Sequence, residues 1–193
     1  MKLYEIVLLE IGGTIAPVDW KQTNNSYIGT FTYDDRLYRI DVRNIMLEPS
    51  DFKYLQTDDH SHLLIYNIGF GAWDDTNKKI TLNLTGQHKP FRIFSIVQNA
   101  VADLFADHNI HPDILALSVS KLEANNTAQE HDDRVSLYTH MAHRLATKQQ
   151  YANVYPNIDG PKSTSVLLSR INIPPQVLSN FSKFLYDSGQ DFK

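Results

Sequence analysis

The chain has no cysteine, no cluster of basic residues and no long apolar run among its 193 residues. The first absence removes disulfides, thiolate metal sites and thiol nucleophiles together, and suits a reducing compartment such as the cytosol. The second removes the usual footprint of a phosphate-backbone binder: the formal net charge is -4 and the lysines and arginines are scattered, so nucleic acid is not expected as the main partner. The loosely basic "RIDVRNI", Arg39 to Ile45, alternates as a strand does and reads as its solvated face. The third excludes a membrane-spanning helix, which needs roughly 18 consecutive apolar residues. In the opening "MKLYEIVLLEIGG", Glu5 and Glu10 interrupt the apolar part and no small-residue cleavage site follows, so Met1 is the expected mature start. Internal repeats, low-complexity tracts, G-x-S-x-G and H-E-x-x-H are missing too.

What remains is an ordinary globular composition, 42% hydrophobic and 21% charged, enough for one core and therefore one domain over residues 1–193. "IGGTIAPVDWKQTNN" reads as connection because of its Gly pair, Pro and Asn pair. "SYIGTFTYDDRLYRIDV" then places two runs rich in Tyr, Phe, Ile and Thr around Asp34-Asp35, the pattern of a hairpin. After a polar loop, "LLIYNIGFGAW" and "KKITLNLTG" flank "DDTN" and predict two more strands, so the first half is a meander of about four.

The second half changes period. In "FRIFSIVQNAVADLFADH", residues Phe91, Phe94, Val97, Val101, Leu104 and Phe105 recur at spacings of three and four, which predicts a core-facing helix closed near His108 and Asn109. "DILALSVS" is a continuous apolar run, as in a strand buried on both faces. A second helix is predicted over "DDRVSLYTHMAHRLATK", with Asp132 and Asp133 at its N-terminus and a stripe of Val135, Tyr138, Met141 or Ala142, and Leu145. "YANVYPN" and "TSVLLSRINI" predict two closing strands around "NIDGPKS". "PPQVLSNFSKFLYDSG" predicts a final helix with Val177, Phe181, Phe184 and Leu185 on one face.

This order of elements resembles the GNAT N-acetyltransferase fold over residues 26–172, with 173–193 as a C-terminal helical appendage. The expected class is α/β (α+β): a mixed, largely antiparallel sheet with two long helices packed on it and an extra C-terminal helix. In that family a turn patterned R/Q-x-x-G-x-G/A opens a helix whose amides hold the pyrophosphate of acyl-CoA. The corresponding "TGQHKPFRIF" keeps Gly86, has His88 where the second Gly would be, and loses an amide donor at Pro90. "HDDRVSLYTHMAHRL" is similar to the family's N-x-x-A-x-x-L-Y: Leu137 and Tyr138 match, while His131 replaces Asn and Arg134 replaces Ala. The resemblance implies that Tyr138, in an active enzyme, would protonate the departing CoA thiolate. The hairpin tyrosines, the "TG" ahead of "FRIFSIVQNAVADLF" and "RVSLY" also look like a set of bacteriophage-encoded GNAT-like proteins.

Two classes of function follow. In the first, the scaffold is retained, the acyl-CoA cradle has degenerated and no cofactor is used. The chain then binds viral or host protein, as a virion or assembly component or as an inhibitor of a host factor, in the host cytoplasm or the virion. Val177, Phe181, Phe184 and Leu185 are the candidate partner surface. In the second, it is a working N-acyltransferase using acetyl-CoA, with Gly86, His88, Lys89 and Arg92 at the cofactor, Tyr138 as acid, and Glu123, His131 or a water held by Asp74 as base. Two histidine groups, Asp58, Asp59, His60 and His62 in "DDHSH" and the pair His140 and His143, lack a complete metal signature, so no metal site is assigned.

Overall fold

The computed structural model describes residues 17–45, 63–81, 90–120, 128–159 and 163–173. They form a mixed sheet with two helices. The strands are β1 (Asp19–Gln22), β2 (Ser26–Tyr33), β3 (Arg36–Ile45), β4 (Ile65–Asp74), β5 (Lys79–Thr81), β6 (Ile114–Ser120), β7 (Asn153–Asp159) and β8 (Ser163–Ser169). The helices are α1 (Pro90–Asp107) and α2 (Ala128–Gln149). The sheet order is β1-β2-β3-β4-β6-β8-β7, with β5 pairing β4. All pairs are antiparallel except β4 with β6.

Local chemistry accounts for these elements. Asp34 and Asp35 close the β2–β3 hairpin with φ of 47° and 59°, the positive values that a two-residue turn needs to follow strand twist. β1 lies in the stretch predicted as connection. It forms because Trp20 pairs opposite Gly29, where a Cβ would sit 2.8 Å from Trp20 Cζ3 and 2.8 Å from Val18 Cγ1; the missing side chain is what lets the indole lie across β2. On β3 the predicted solvated face is only partly so: Arg39 and Arg43 are half-buried and Asp41 is buried. Arg39 Nε donates to Asp41 Oδ1 at 2.7 Å, and the guanidinium carbon Cζ lies 4.7 Å from the Trp73 ring centroid. At the opposite edge of the sheet β7 tolerates Pro156 because the register breaks between Tyr155 and Ile158.

α1 begins at Pro90, a position where the absent N–H costs no intrahelical bond. Its end is set by Asn109, with φ of 52°. Asn109 N donates to Ala106 O at 3.2 Å and Ile110 N to Phe105 O at 2.8 Å, which satisfies carbonyls that the last turn leaves open. α2 starts at Ala128, four residues before the predicted Asp132. Asp132 and Asp133 therefore lie inside the helix and are exposed. The helix formers Ala128, Gln129 and Glu130 extend it backwards.

Both helices pack on one face of the sheet and share a single core with it. That face holds Phe31, Tyr38, Ile40, Tyr66, Ile68, Phe70, Leu115, Leu117, Val166 and Leu168, packed against Phe94, Val97, Val101, Phe105, Tyr138, Met141 and Leu145. Arg170 fastens one end of this layer. Its side chain donates to Pro112 O at 3.0 Å and Gln149 O at 2.9 Å and lies 5.0 Å over the Tyr151 ring. Beside it, Asp113 Oδ2 accepts from Leu64 N at 2.9 Å. Among the described residues, no helix is long and apolar enough to cross a membrane.

Candidate functional site

β4 carries the features that matter most. Its parallel pairing with β6 runs from Ile65 opposite Ile114 to Ile68 opposite Leu117. Farther along, the same edge pairs with β5, from Ala72 opposite Thr81 to Asp74 opposite Lys79, while β3 occupies the other edge from Ile65 to Ala72. The strand beside β6 is thus β4, and β5 pairs β4 beyond it. Among the described residues, the partner of β4 changes from β6 to β5 across Gly69, Phe70 and Gly71, a fork in the sheet.

The two faces of the fork differ. On the helix side Phe70 stacks on Tyr138, with ring centroids 5.1 Å apart and planes at 12°. Phe94 meets both rings edge-on, 4.9 Å from Phe70 and 5.3 Å from Tyr138. Tyr138 is only 2% exposed. Such an aromatic cluster is worth more than its area because each contact has a favourable ring geometry.

On the opposite face, Ser118 Oγ lies 3.3 Å from Asn67 Oδ1 and 3.0 Å from Ser165 Oγ. A serine hydroxyl has one proton. With Ser118 donating to Asn67, Ser165 must donate to Ser118, giving a chain of hydroxyls ending on an amide oxygen. Asn67 and Ser165 are each 2% exposed, so the chain meets the demand that buried polar groups be paired. Sequence reading missed this cluster: its three members come from strands about fifty positions apart, Asn67 and Ser118 are single polar interruptions of apolar runs, and Ser165 follows two polar residues at the start of β8.

The remaining predicted residues divide as follows. Gly86, His88 and Lys89 lie outside the described residues, as do Glu123, Val177, Phe181, Phe184, Leu185 and the "DDHSH" group. Arg92 falls in the first turn of α1 and is half-buried. His131 belongs to α2. Asp74 is occupied by its own turn: Oδ1 accepts from Thr76 N at 2.9 Å and Asn77 N at 3.1 Å, and Oδ2 from Asn77 Nδ2 at 2.6 Å. Holding a catalytic water would compete with those bonds. Next to it, the Lys78 ammonium and the Trp73 indole N–H keep the exposed Asp75 carboxyl below its ordinary range. His140 and His143 are both exposed on α2, and among the described residues no group of three or more metal-ligating side chains converges.

Compared with protein families, with curated proteins and with solved structures, the chain matches none.

Proposed function

We propose that the chain is a bacteriophage-type GNAT-like scaffold that works by binding protein, as a virion or assembly component or as an inhibitor of a host factor, and does not transfer acyl groups. The observation that carries this reading is the burial of Tyr138, the one residue to which the family resemblance gives a catalytic part. That Tyr138 is 2% exposed, stacked on Phe70 and met edge-on by Phe94, supports reading it as a packing residue; to serve as an acid its hydroxyl would have to reach a leaving thiolate. Two further points support the reading. The sequence before α1 lacks the second glycine of the family pattern, and Pro90 at the helix start supplies no amide N–H to an anion cradle. The far end of the β4 edge is already paired by β5, which leaves less of it for a ligand.

The test is capture. Tagged full-length protein expressed in the host during infection should retain one defined viral or host protein in a fixed ratio, or be found at constant copy number in purified particles. Recovery as a free monomer in both experiments would sink the proposal.

One observation favours a second reading, an acyl-CoA-dependent N-acyltransferase. The parallel β4–β6 pair ends at Ile68 and Leu117, and the fork beyond it carries the hydroxyl chain of Ser118 and Ser165. A ligand entering there would meet polar groups on one face and the aromatic cluster on the other. Binding of acetyl-CoA by the purified chain would separate the two readings.

A further inference from the structure

We draw no further inference here: the strongest candidate, the sheet face opposite the two helices where Ile45, Ile65, Ile114, Ala116 and Leu167 are buried beside the Asn67–Ser118–Ser165 cluster, carries nothing because no described element shows what covers it.

Discussion

The same strands present two unlike faces. Going along β4, Tyr66, Ile68 and Phe70 point to the helices and are enclosed by aliphatic and aromatic neighbours, whereas Ile65, Asn67, Gly69 and Gly71 alternate to the other side. There the apolar cluster of Ile45, Ile65, Ile114, Ala116, Ile158, Leu167 and Ile173 borders a polar strip of Asn67, Ser118, Ser165 and the Arg39–Asp41 pair. Period-two alternation assigns these roles, since adjacent residues of a strand cannot share a face. The lesson concerns Tyr138. A motif would make it the chemist of the molecule, yet it lies on the face built for packing, while the buried polar groups lie on the other.

If the helix face is held by close packing, the largest effect of any single change should come from its centre. Replacing Phe70 by Ala removes a ring that touches Phe94 and Tyr138, and should cost about 3–5 kcal/mol in urea unfolding. A loss below about 1 kcal/mol would mean the cluster is loosely packed.

The same face should set the alkaline limit of the fold. Burial is the largest cause raising the phenols of Tyr38, Tyr66 and Tyr151 above 10.0; at Tyr151 the Arg170 charge opposes it without cancelling it. Each therefore holds its proton more tightly in the folded chain than in the unfolded one. Their contribution is intact below about pH 10 and is lost as the pH rises above it. Absorbance at 295 nm should show a late, cooperative ionisation step that coincides with loss of circular dichroism. Smooth titration of every tyrosine with the fold intact would contradict the burial of these three. Replacing Tyr151, whose hydroxyl meets no hydrogen-bond partner among the described residues, by Phe should leave neutral stability unchanged or raise it and make the alkaline loss shallower.

On the polar face the effects should be smaller. Ser118 to Ala breaks the hydroxyl chain and leaves Asn67 Oδ1 and Ser165 Oγ short of a partner, for about 1–2 kcal/mol. A cost equal to that of Phe70 to Ala would erase the contrast between the faces.

Smallest of all should be Tyr138 to Phe, which keeps both ring contacts. Stability should fall by about 1 kcal/mol or less, and capture of the partner should be unchanged. Loss of partner binding with the fold intact would give the hydroxyl a function that packing does not.

Much of this architecture was legible beforehand, and the gaps have physical causes. Stripes at helical spacing identified α1 and α2, because a core-facing helix must repeat its apolar residues every turn, and the paired aspartates marked the β2–β3 turn. β1 was hidden because four residues with one large apolar side chain carry no periodicity; its cause, Gly29, lies seven or more positions away. The place of β4 beside β6 was not legible because pairing is non-local, although "IYNIGF", apolar on both faces from Ile65 to Phe70 save Asn67, is what a central strand needs. The polar cluster was invisible for the same reason: Asn67, Ser118 and Ser165 meet only once three strands are aligned. Tyr138 was read correctly as part of the apolar stripe, and its motif match carried no information about exposure.

Isothermal titration of the full-length chain with acetyl-CoA and with CoA tests the central claim most directly. A scaffold that works by binding protein should give no heat with either ligand up to about millimolar concentration, the weak end of specific affinity. Micromolar binding abolished by Arg92 to Ala, in a variant that unfolds at the wild-type urea concentration, would contradict it and make the fork in β4 an acyl-CoA site.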